Sequence, residues 1–118
     1  VNMQTANLVV SCLLAAMLLV SAAAKFARVP KVLATIDTVR FPREQLWLLA
    51  NAEIAGAIGL VAGLYWWPVG VAAAAGVILY FAGAVIAHLR VGDKDIAGAA
   101  ILLTASLAAL VLQVFTRT

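Results

Sequence analysis

Charge is what this chain has least of. Only 11% of its 118 residues are charged, and five are acidic. A soluble domain carries about 25% charged residues. With 66% hydrophobic residues, the soluble class is excluded, and the chain reads as one membrane domain over residues 1–118. Its single cysteine, Cys12, allows no internal disulfide. One histidine and one cysteine are too few for a multi-ligand metal site built by the protein, so no metal is expected. The net charge of +3 has no soluble basic face to sit on. Nucleic acid is therefore excluded as a partner, and the lipid bilayer is the expected one.

What the chain has instead is long uncharged runs. Val1 to Ala24 and Ile96 to Thr116 carry no charge, and Gln45 to Leu89 carries only Glu53 and, near its end, His88. A span needs about 20 apolar residues, so the middle run holds two. It is divided at Tyr65-Trp66-Trp67-Pro68, because proline suits the first turn of a new helix. Spans are predicted near 4–24, 42–66, 68–89 and 96–116. Trp47 and Trp66 fall near opposite ends of the second span, where interfacial aromatics belong. Val29, Val32, Leu33, Ile36 and Val39 recur at helical spacing after Pro30, with Lys31, Asp37 and Arg40 between them. That pattern predicts a short amphipathic helix lying in the interface. The expected fold class is all-α: an integral-membrane four-helix bundle with an interfacial helix between spans 1 and 2.

Seven of the eight basic residues lie in two connections: Lys25, Arg28, Lys31, Arg40 and Arg43 in the first, Arg90 and Lys94 in the third. With four spans, both connections share one side of the membrane. The positive-inside rule makes that side cytoplasmic and turns both termini outward. The first span is expected to be retained, since no basic region precedes the Ser21-Ala22-Ala23-Ala24 run.

Glu53 is the one acid between Gln45 and Leu89. A carboxylate at membrane depth is costly, about 2.5–3.5 kcal/mol on insertion scales, and is functional by default. Ala52, Gly56, Gly59 and Gly63 fall to one side of it on the helical wheel. Glu53 should thus flank a close-packing seam and face protein. Gly76, Gly83 and Ala87 are expected to serve such packing in span 3. Gly98, Ala99 and Ala100 would make a fourth-helix contact or an oligomer contact. Tyr80 and His88 share a face, two helical steps apart. Glu53 and His88 lie at depths differing by about 10 Å, so contact needs tilt, a water or a ligand. Glu53 and His88 are the candidates for proton chemistry, and Glu53, Tyr80, His88 and Arg90 for ligand binding. Glu44 suits a helix start, Asp93 and Asp95 read as caps of the last span, and Asp37 belongs to a solvated face.

Three runs carry a family resemblance: Glu53 to Leu60, Trp66-Trp67-Pro68, and Ala84 to Asp93. They resemble the DoxX-like family of small bacterial four-span membrane proteins. Glu53, Gly56, Gly59, Gly63, Ala84, His88, Arg90, Gly92 and Asp93 look like that pattern, as does Lys25 after the first span. Ala22, Ala23 and Ala24 stand where the family often has a glycine. The family name derives from subunits of a thiosulfate:quinone oxidoreductase. The resemblance therefore implies an inner-membrane subunit beside a redox enzyme or another membrane subunit, with a quinone as the implied cofactor; a homo-oligomer is the assembly that Gly98, Ala99 and Ala100 would serve if they make an oligomer contact.

The residues alone leave the role open, and with it whether the chain is an enzyme. The leading expectation is an accessory or ligand-binding subunit of a quinone-linked system. A proton-coupled transporter of the small four-span type is the alternative, although such transporters carry their acid in the first span. A membrane-embedded enzyme using Glu53 as general acid or base on an apolar substrate ranks third.

Overall fold

The structure, a computed structural model, describes residues 2–94 and 96–116. Among the described residues five α-helices follow in order: α1 (Met3–Phe26), α2 (Pro30–Thr38), α3 (Leu46–Ala62), α4 (Trp67–Arg90) and α5 (Ala97–Phe115), with a 3₁₀ turn at Arg43–Gln45 before α3. Among the described residues four segments are long and apolar enough to cross a membrane: Met3–Phe26, Arg43–Ala62, Trp67–Arg90 and Ala97–Phe115. The all-α membrane bundle expected from the apolar runs is what forms.

Helix ends follow local chemistry. The Asn2 side chain caps α1 by accepting from the Thr5 amide at 2.8 Å. Pro30 and Pro68 sit in the first turns of α2 and α4, where no amide donor is missed. The second span stops at Ala62 rather than Trp66, because amides of Gly63 to Trp66 turn back onto Gly59, Val61 and Ala62.

Three helices end in one motif. After α4, Gly92 adopts φ 75 and donates to the Leu89 carbonyl, while Asp93 donates to His88. Arg28 and Arg40 do the same after α1 and α2, at φ 53 and φ 62. The left-handed conformation costs a non-glycine residue roughly 1–2 kcal/mol. Each such arginine is exposed and its turn satisfies two carbonyls that would otherwise be orphaned.

The four spans form a ring in which α1 packs on α3 and α5, and α4 packs on the same two. Leu14, Leu18, Leu60, Val77 and Phe81 lead the core. The α3–α4 seam is a zipper of small residues. A Cβ on Gly59 would lie 2.6 Å from the Ala73 Cβ, and one on Gly56 2.7 Å from a Val77 methyl. Gly63 and Gly70 meet backbone to backbone. Gly76 and Gly83 do not pack in this way: a Cβ on either would meet nothing within 4 Å. They lie on the outer side of α4 and leave gaps instead of closing them. Gly98 is likewise open, whereas Ala99 packs on the core.

At the end that holds Asn2 and Thr116, a buried polar ladder ties α1 to α5. Gln113 Nε2 donates to Ser11 Oγ at 3.2 Å, Ser11 donates to Asn7 Oδ1 at 3.1 Å, and Asn7 Nδ2 donates to Thr116 Oγ1 at 3.0 Å. Gln113 Oε1 has no conventional donor and lies against Gly63 and Gly70.

Candidate functional site

The zipper register sets the site. Along α3, Gly63, Gly59 and Gly56 meet Gly70, Ala73 and Val77 of α4 in turn. One further step along both antiparallel helices brings Glu53 to Tyr80. The two side chains line one cleft and interact. Glu53 is 1% exposed. It faces the bundle, on the packing side marked by the glycines.

Its nearest charge comes from α1. Lys25 lies in the last turn of that helix rather than in the connection after it. Its ammonium stands 2.8 Å from Glu53 Oε1 and donates to Ser21 Oγ, one turn back, at 2.7 Å. The Glu53 side chain is fully enclosed and that of Lys25 is 14% exposed. A buried carboxylate is tolerable when an opposite charge and hydrogen bonds offset its desolvation. Here the offset is incomplete. Neither Glu53 oxygen has a hydrogen bond of full geometry, and Oε2 has no ion partner either.

Two clefts flank this cluster. The first, of about 530 Å³, lies between α3 and α4 and is lined by Glu53, Tyr80, Leu18, Val77 and small residues. Ala52, Ala55, Ala72 and Gly76 are exposed at its mouth. The second, of about 380 Å³, lies under α2. Lys25, Thr35, Tyr80 and His88 supply its polar groups, and Ile36, Phe41 and Phe81 are among its apolar ones. Tyr80 is the wall common to both.

His88 pairs with Asp93, Nδ1 to Oδ2 at 2.6 Å. The left-handed Gly92 turn folds Asp93 back over the end of α4 and so aims its carboxylate at the ring. Asp93 is thus a partner of His88 and not the cap of α5, which starts after Ile96 with no side-chain cap. Asp95, the other cap expected there, lies outside the described residues. Glu44 does occupy a helix start, in the 3₁₀ turn.

Of the ligand-binding candidates, Glu53 and Tyr80 share the first cleft, and Tyr80 and His88 share the second. Neither of these two clefts is lined by both Glu53 and His88. Arg90 is exposed at the end of α4 and lines neither. Lys25 is the member that the sequence reading does not place among the site residues. Its signal was present in Ser21 four residues earlier and in the resemblance at Lys25 itself. The Asn7–Ser11–Gln113 ladder was also missed, though polar residues four apart in an apolar span are a readable sign.

The helix α2 roofs the second cleft. Ile36 is buried beneath it, and Phe41 follows in the turn. Asp37, on the solvated side, accepts from Arg43 Nε at 2.9 Å and from its Nη2 at 2.5 Å. That hydrogen bonding holds the Asp37 carboxyl below its ordinary value.

The sequence profile of the DoxX-like family matches residues 9–114. Comparisons with curated proteins and with solved structures each find no match. The matched stretch includes Lys25, Glu53, Tyr80 and His88, and both clefts.

Proposed function

We propose, since the chain belongs to the DoxX-like family, that it is a ligand-binding subunit of the bacterial inner membrane, working beside a quinone-linked redox enzyme. The observation that carries this reading is the Lys25–Glu53–Tyr80 cluster at the junction of two clefts, both open on the bundle's outer surface. A molecule dissolved in the bilayer can reach such a site sideways. Pockets of this kind are mostly apolar, with a few polar groups that fix orientation. Glu53 and Tyr80 would meet a head group from one side, and Lys25 and His88 from the other.

The distribution of basic residues supports an orientation with α2 and the α4–α5 connection in the cytoplasm and both termini outside. Reporter fusions after Thr116 should then be active only outside the inner membrane. Activity on the cytoplasmic side would overturn that orientation.

The test of the role uses the native membrane. Glu53→Gln should lower quinone-linked turnover of the redox enzyme that co-purifies with the chain by tenfold or more, at unchanged chain abundance. Undiminished turnover would remove the reading. A proton-coupled transporter ranks second, because a cargo cation would have to displace Lys25 at 2.8 Å from the carboxylate.

A further inference from the structure

The cleft between α3 and α4 has more definition than a generic lipid groove. Its polar end is Glu53 and Tyr80, and its other end is Gly59 and Val69. From Tyr80 to Val69 along α4 is roughly 16 Å at 1.5 Å per residue. The walls along that length are Ala, Gly, Val and Leu. The mouth is exposed at Ala52, Ala55, Ala72 and Gly76, so one slender chain can lie in it and enter from the bilayer.

The polar end is specific in two ways. Lys25 neutralises Glu53, so the wall offers no spare charge to an ionic head, and an unpaired buried ion is strongly disfavoured. Glu53 Oε2 is buried without a hydrogen bond of full geometry, and the nearby Tyr80 hydroxyl interacts with the carboxylate without closing one. An ionised carboxylate can only accept, so what completes it must donate.

We infer that this cleft binds an uncharged single-chain amphiphile whose head donates a hydrogen bond, a phenol or hydroquinone rather than a quinone or an ether. The head sits at Glu53 Oε2 beside Tyr80, and the chain runs along the seam past Gly76 toward Val69. This rests on the ligand-binding reading above and adds the chemistry of the ligand. In a quinone-linked system it selects the reduced form.

The test compares 4-decylphenol with 4-decylanisole, which differ by the donor alone, and with decanoate. Binding is measured on the purified full chain in nanodiscs, with concentrations corrected for partition into the bilayer. The phenol should bind roughly tenfold tighter or more than the anisole, as a hydrogen bond to a charged acceptor implies, and decanoate should be weakest. Gly76→Leu should abolish phenol binding while the chain still folds, because the Gly76 side faces open space. Equal affinity for phenol and anisole, both blocked by Gly76→Leu, would overturn the donor inference and leave the ligand-binding reading standing. Decanoate binding as well as the phenol would overturn the uncharged head. If no probe binds and Gly76→Leu instead splits a dimer, the cleft seats a second copy, and both inference and reading fall.

Discussion

Gly63→Ala should be among the most damaging single-methyl insertions in the bundle. A Cβ on Gly63 would fall on the Gly70 Cα, 2.7 Å from the Gly70 amide nitrogen and 3.2 Å from Gln113 Oε1. The first two obstacles are backbone and cannot rotate away. Relief requires α3 and α4 to move apart, which also loosens the Gly59–Ala73 and Gly56–Val77 contacts above them. Overpacking of this kind costs about 1–3 kcal/mol, and a backbone obstacle places it near 3. Gly76→Ala is the control, because its Cβ meets nothing within 4 Å. Alanine is the better helix former by about 1 kcal/mol, so this change should be neutral to stabilising. A gap of roughly 3 kcal/mol between the two variants is expected. Reversible unfolding in mixed micelles, followed by tryptophan emission and far-ultraviolet circular dichroism, measures it. Two variants equal within about 0.5 kcal/mol would refute the zipper register, and with it the step that carries Glu53 to Tyr80.

Ser11→Ala removes both the donor to Asn7 and the acceptor for Gln113. A loss of about 1–2 kcal/mol is expected in the same unfolding assay, and no loss would mean the ladder is not formed. Gly92→Ala forces a side chain into φ 75, which should cost about 1 kcal/mol and shift the His88 ring nitrogen resonances as Asp93 moves away. Unchanged resonances would count against the turn as the device that aims Asp93. The Asp37–Arg43 clasp depends on pH with a definite sign. The bonded carboxyl lies below its ordinary value of 3.8, so the clasp is intact above that value and opens as the pH falls through the lowered one. The opening of α2 read by hydrogen exchange, after division by the intrinsic exchange rate at each pH, should therefore be flat from pH 7 down to the ordinary value and rise only in stronger acid. A rise near neutrality would be incompatible with the clasp.

Apolar length made the four spans legible, since a membrane leaves the backbone few alternatives to a helix. The inward facing of Glu53 was legible too, because three glycines marked the packing side of its helix. The unread features depended on chain reversal. Arg28 and Arg40 take a conformation that glycine favours, so nothing in their identity announced the turns. The direction of Asp93 follows from its turn, and without the turn a cap for the next helix was the simpler expectation. Span 3 misled for a related reason. Glycine there predicts close approach, but periodicity cannot say whether the facing surface is a helix or a gap. Gly70 packs and Gly76 does not, though they lie on one helix. The ion pair is not legible because the charge pattern assigns Lys25 to a connection, whereas the helix runs one turn further and carries it inward.

The ion pair between α1 and α3 is tested most directly by a double-mutant cycle on Lys25→Met and Glu53→Gln, read as unfolding free energy in micelles. Removing one partner of a buried pair typically costs about 3–5 kcal/mol, because the other charge is left uncompensated. The double variant should cost well under the sum of the single changes, with a coupling of about 2 kcal/mol or more. Single effects that add to within about 0.5 kcal/mol would mean that Lys25 does not hold Glu53, and the polar cluster between the two clefts would lose its foundation.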